Sequence, residues 1–177
     1  GIRMMPLAIT GAIASMLAPA VSRSIGARAV LAGGLGLAAI GMLYLGVAGS
    51  DLNLAGVIIA TSLIGAGTGS LAIASAMIMA GSPVEKAGNA GALEETSYEF
   101  GATLGVAILG SISALIYRFQ LAVDPALRGI DNGLLAGAKE SLGAAVALGE
   151  QAGAPELIER ASAAFVSSLQ AAGFAGG

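Results

Sequence analysis

Gly88–Arg118, GNAGALEETSYEFGATLGVAILGSISALIYR, sets three carboxylates, Glu94, Glu95 and Glu99, directly before a run of apolar and small residues long enough to cross a bilayer. A span takes about 20 residues at about 1.5 Å rise each. After Glu99 no side chain that is charged near neutrality occurs until Arg118, so the spacing predicts Glu99 inside the hydrocarbon. Holding an acid at that depth costs on the order of several kcal/mol, and such groups mark a cavity, a partner or a path for ions or protons.

Composition extends this reading to the whole chain. Charged residues make up 11% of the 177, against about 25% in soluble domains. Hydrophobic residues reach 56% and the mean hydropathy is +0.86, so the expected surroundings are a lipid bilayer. The 28 glycines lie within apolar runs rich in Ala and Ser, as close-packed membrane helices require where lipid gives no hydrophobic drive between them. With no Cys and no His, thiolate and imidazole metal sites and a Ser/His/Asp arrangement are excluded. No metal, cofactor or enzyme activity is expected. The net charge of −3 leaves nucleic acid without an electrostatic footprint.

Four uncharged runs follow one another. Met4 to Val21 carries Pro6 and Pro19 near its ends, which spans tolerate. Arg23 and Arg28 bracket a Gly turn in SRSIGAR, and Ala29 to Ser50 closes a helical hairpin. Asp51 and Asn53 make a turn before Leu54 to Ser82, where Gly65, Gly67 and Gly69 occur at every second position. Such spacing faces several sides of a helix and predicts close approach or a bend. Pro83, Glu85, Lys86 and Gly88 precede the fourth span, so the expected crossings are about 4–22, 29–50, 54–82 and 89–117. Neither end reads as a natural terminus, and the chain is expected to be part of a longer protein.

Basic residues of short loops favour the cytoplasm. Arg23, Arg28 and Lys86 fall in the first and third connections, which lie on one side if every run crosses once. That side is expected to be cytoplasmic, and everything past Arg118 extracytoplasmic. From Phe119 onward charges interleave with Ala and Leu. Gly133–Gly149 and Pro155–Ala172 each show apolar residues at helical spacing beside a polar stripe. The GAP at Gly153–Pro155 is a turn, with Pro155 suited to open a helix. Residues 119–177 are therefore expected to form an extracellular amphipathic helical hairpin leading toward a final span.

On a helix, residues four apart share a face, so Glu95 and Glu99 project together. Glu94 pairs instead with Tyr98, and Gly101 and Gly105 lie roughly opposite Glu99, suited to packing. Two acids one turn apart in a low dielectric repel when both are ionised, and a carboxyl in that position can exchange a proton for a cation. A plainer reading stands beside this one. Glu94 and Glu95 are headgroup-level charges favoured by the helix dipole if the hydrocarbon begins near Ala92. Tyr98 is then a packing aromatic, Tyr117 an interfacial one, Arg23 and Arg28 are topological markers, and the glycines serve helix packing. GAGTG, at Gly65–Gly69, sits in an apolar run without the flanking strand or acidic residue of a nucleotide fingerprint.

The run from Gly88 to Arg118, with its leading SPVEKAGNAG, resembles the penultimate helix of the fourteen-helix drug:proton antiporters of the major facilitator superfamily, the QacA-type group. RMMPLAITGAIASMLAPAVSRSIGARAV resembles helices ten and eleven with their basic cytoplasmic loop, and the span through Met79 resembles helix twelve. The resemblance implies an all-α membrane fold, four helices of a major facilitator C-terminal bundle, in a bacterial plasma (inner) membrane. It implies efflux of lipophilic or quaternary ammonium cations in exchange for protons, with the N-terminal transporter half as partner. Glu95 and Glu99 align with acids implicated in substrate recognition and proton coupling, and Tyr98 is kept. The deeper acid can be Asp in the family and is Glu99 here. Two other readings stay open: export of another small metabolite on the same fold, and a non-transporting membrane module that binds a partner through its extracellular hairpin.

Overall fold

The protein is seen in a computed structural model that describes residues 5–49 and 53–177, all helix, turn and short 3-10 segments with no strand among them. Met4, Ser50 and Asp51, used above as span ends and a turn residue, lie outside the described residues. The helices are α1 (Met5–Ile25), α2 (Ala27–Ala48), α3 (Leu54–Gly69), α4 (Ala72–Ala80), α5 (Ala87–Val123), α6 (Asn132–Ala138), α7 (Leu142–Ala152) and α8 (Pro155–Gly176). Taking α3 and α4 as one span, Leu54–Ala80, four helical stretches among the described residues are long and apolar enough to cross a membrane.

Local signals place the breaks. Gly26 joins α1 to α2 alone, at a φ of 88° that side chains other than glycine rarely adopt. Asn53 caps α3 by accepting a hydrogen bond from the Gly56 amide at 2.7 Å. The offset between α3 and α4 is a tightened turn, with the Ser70 amide donating to the Gly67 and Thr68 carbonyls.

α3 is sandwiched between α1 and α2, and its alternating glycines serve both neighbours. A Cβ on Gly69 would lie 2.5 Å from the Gly11 carbonyl oxygen of α1, and Gly65 meets Leu7 and Thr10 on the same side. A Cβ on Gly67 would lie 2.5 Å from the Gly34 carbonyl oxygen of α2. Two residues advance a helix by about 200°, so every second glycine turns to the opposite partner. The Ser15 hydroxyl adds a bond to the Gly69 carbonyl at 3.3 Å.

Larger side chains pack elsewhere. Tyr117, Leu121, Leu127, Ala138, Ala145, Leu157, Ala161 and Ala164 form a core where the end of α5 meets α6, α7 and α8. This is the polar-textured part of the chain. Helices that carry charges along their length close over Leu and Tyr, whereas long apolar helices can leave apolar faces outward and close up through small residues.

The last third departs from the expected hairpin in three ways. Gly133–Gly149 is not one helix: α6 ends at Ala138, and α7 starts after Ser141, whose hydroxyl caps it by accepting from the Ala144 amide at 3.1 Å. Tyr117 is not a belt aromatic but is buried to 5% exposure, its hydroxyl donating to the Ala138 carbonyl at 2.9 Å. The third departure is α8, which does not stay peripheral. Gly173 lies against Met42 and Gly46 of α2, the Gln170 amide donates to the Gly46 carbonyl at 3.2 Å, and the Ser113 hydroxyl of α5 donates to that of Ser168 at 2.9 Å. The buried set Leu157, Ala161, Ala164 and Ser168 recurs every three or four residues, one continuous face. The GAP turn is formed as read, with Gly153 left-handed at a φ of 63° and Pro155 opening α8.

Candidate functional site

α5 runs unbroken for 37 residues, about 55 Å at helical rise and well beyond a hydrocarbon core of about 30 Å. It touches α4 near its start and α8 near its end, and its middle is open: Gly101, Gly105 and Gly110 have no neighbour within 4 Å of a would-be Cβ. Gly65 and Gly69 are closed against α1, so the two glycine pairs meet different surroundings within this chain.

The three acids separate by face. Glu94 is half-buried and accepts a hydrogen bond from the Ser75 hydroxyl of α4, while Gly91 one turn earlier meets Met79 of the same helix. Glu95 and Glu99 are exposed together on another face, and Tyr98 is 64% exposed. No helix among the described residues covers them. Ser75 is the residue sequence reasoning did not single out, because a lone serine in an apolar run carries no sign of which distant side chain it meets.

Gly176 of α8 lies against the side-chain ends of both Met42 of α2 and Leu109 of α5, so α8 bridges the two helices. Along α5, Glu99 lies one turn further from the helix start than Glu95, about 6 Å. Arg23 and Arg28 are both exposed, as are Glu85 and Lys86 at the start of α5.

The face of Glu95 and Glu99 continues along α5. Eighteen residues make about five turns, so Ser113 stands above Glu95 and Tyr117 above Glu99. The side chains between them on this face, Ala102, Val106 and Gly110, are short. The C-terminal end of the stripe is closed by α8, and its N-terminal end, with both acids, is open.

No protein-family model matches the chain. It is 31% identical over 173 residues to the multidrug efflux pump LfrA of Mycolicibacterium smegmatis, an alignment covering 96% of this chain and 34% of LfrA. It is 32% identical over 154 residues to the methyl viologen resistance protein SmvA of Salmonella typhimurium, covering 84% of this chain and 30% of SmvA. The chain thus spans about a third of the length of the curated relatives it matches.

Proposed function

Because the chain belongs to the drug:proton antiporter-like family of the major facilitator superfamily, with LfrA and SmvA among its relatives, we propose that it is the C-terminal part of an efflux transporter. That transporter exchanges protons for lipophilic or quaternary ammonium cations across a bacterial inner membrane. The observation that carries this reading is the open face of Glu95 and Glu99 on a helix that is otherwise uncharged from Phe100 to Tyr117. Carboxylates at such a depth need a cavity or a partner, and relatives three times as long have the chain to supply its far wall.

The two acids differ in depth and so in task. Glu95, nearer the start of α5, is the acid that a cation meets on entry from the side of the basic loops, which we assign to the cytoplasm. Glu99, one turn deeper, holds the cation by charge in a medium of low dielectric, where the attraction is strongest. Protonation neutralises Glu99 and frees the cation, and loss of the proton restores affinity. Tyr98, beside them, offers a ring face to the same cation. Glu94, tied to Ser75, orients α5 and is not itself exchanged. In this reading the unit of α6, α7 and the start of α8 lies outside the cell.

The test uses the intact transporter in everted membrane vesicles. Glu99→Gln, at an unchanged membrane level, is expected to abolish proton-driven efflux of methyl viologen or ethidium, and Glu95→Gln to weaken it. Normal efflux by Glu99→Gln would remove that residue from the mechanism.

A further inference from the structure

A cavity of about 280 Å³ lies where the C-terminal half of α5 meets α8 and the link from α6 to α7. Gly110, Ser113 and Tyr117 of α5 line it, with Phe165 and Ser168 of α8 and Glu140 of the link. The three α5 residues belong to the face that carries Glu95 and Glu99. Gly110 stands 11 residues beyond Glu99, about three turns and 16 Å. A would-be Cβ on Gly110 has nothing within 4 Å, so the stripe reaches the cavity unobstructed at that point.

The chemistry of the walls selects the guest. Tyr117 donates its hydroxyl hydrogen to the Ala138 carbonyl at 2.9 Å, Ser113 to the Ser168 hydroxyl at 2.9 Å, and Ser168 to the Phe165 carbonyl at 2.7 Å. These three side chains hold no donor for an anion or a carbonyl guest, and exposed Ser141 alone keeps an uncommitted hydroxyl hydrogen. Glu140 is the one charged side chain on the lining, which disfavours an anion further. A hard metal ion takes six or more oxygen ligands at about 2 Å or a little beyond, and no cluster of three acidic side chains occurs among the described residues. Two aromatic rings beside a single carboxylate suit a quaternary ammonium, which has no N–H to satisfy and is attracted to ring faces. Arg118 and Lys139 line an adjacent cavity that Glu140 also borders, and no ion pair within 4 Å ties Glu140 to either among the described residues. The volume falls just below the range of about 300 to 1,000 Å³ for drug-sized ligands, so the cavity has room for one cationic headgroup.

We propose that this cavity is a second binding site for a quaternary ammonium headgroup, the station a cation reaches after Glu99 along α5. Glu140 supplies the charge, and Tyr117 and Phe165 supply the rings. The proposal rests on the transport reading for the passage of cations along α5, and its test reads binding apart from transport.

The test is photolabelling of the intact transporter by an aryl diazirine carrying a trimethylammonium group, against the neutral tert-butyl isostere of the same shape. Peptides containing Ser113–Tyr117 or Phe165 should take roughly tenfold more label from the cation. Glu140→Gln should remove most of that preference. Phe165→Leu, which keeps apolar bulk without the ring, should lower it severalfold, and membrane level reports that both variants fold. Labelling is repeated in Glu99→Gln. Label retained there belongs to this cavity and stands whether or not that variant transports, so failure of the transport reading and failure of this one are told apart. Equal labelling by cation and isostere overturns the proposal, as does a preference indifferent to both Glu140→Gln and Phe165→Leu. Label lost in Glu99→Gln, or absent because another part of the transporter covers the cavity, overturns it too.

Discussion

The Ser75 hydroxyl of α4 donates to the carboxylate of Glu94 on α5, and with the packing of Met79 on Gly91 it pins the N-terminal end of α5 to its neighbour. Of three acids within six residues, the one with a partner in this chain is thus not one of the two on the open face. The pin fixes the rotation of α5, and rotation decides where Glu95 and Glu99 point.

Ser75→Ala should therefore disturb transport without touching either acid. A side-chain hydrogen bond between membrane helices contributes about 0.6 kcal/mol on average, so the loss of stability in detergent should stay on the order of 1 kcal/mol. Efflux should fall by more than expression. Glu94→Gln, which keeps an oxygen acceptor for the serine, should be milder than Glu94→Ala. An efflux assay on the three variants checks the order.

Gly67→Leu and Gly69→Leu are expected to lower the level of folded protein sharply. Each would drive side-chain atoms into a neighbour's backbone, where even a Cβ would lie 2.5 Å from a carbonyl oxygen, and packed interiors do not yield at that scale. Gly36→Ala, with nothing within 4 Å, is the control and should leave the level unchanged. Fluorescence-detected size-exclusion chromatography of tagged variants measures this.

Tyr117→Phe removes the bond to the Ala138 carbonyl and leaves that buried oxygen without its partner. The expected cost is about 1 to 3 kcal/mol, confined to the unit of α6, α7 and α8. Limited proteolysis should then cut faster between α6 and α7, around Lys139–Ser141, while the spans stay protected.

The α5–α8 contact can be trapped. With the two hydroxyls 2.9 Å apart, Ser113→Cys together with Ser168→Cys should form a disulfide under mild oxidation. The chain has no cysteine of its own, so within these residues the crosslink is free of background. Failure to crosslink would mean that Ser168 of α8 does not lie against Ser113 of α5.

Much of the fold was legible in the sequence, for local reasons. Uncharged runs of span length, the Gly26 turn between Arg23 and Arg28, the break at Asn53 and the GAP turn each depend on residues within a few positions of one another. The spacing of Gly65, Gly67 and Gly69 even carried the message that several neighbours approach. The single helix expected over Gly133–Gly149 failed for a local reason as well. Ser141 competes as an N-cap, and α7 starts there in preference to α6 continuing.

Helical periodicity alone determined that Glu95 and Glu99 share a face and that Glu94 does not, because those angles belong to one helix. Only the tertiary structure decided that Ser75 meets Glu94, that Tyr117 is buried under α6, and that α8 descends beside α2. Each of these joins residues that are far apart in the chain, and the identity of a distant neighbour leaves no mark on the local pattern of hydrophobicity. A hydroxyl or a small residue can serve any partner that comes close, and which one arrives is settled when the helices pack.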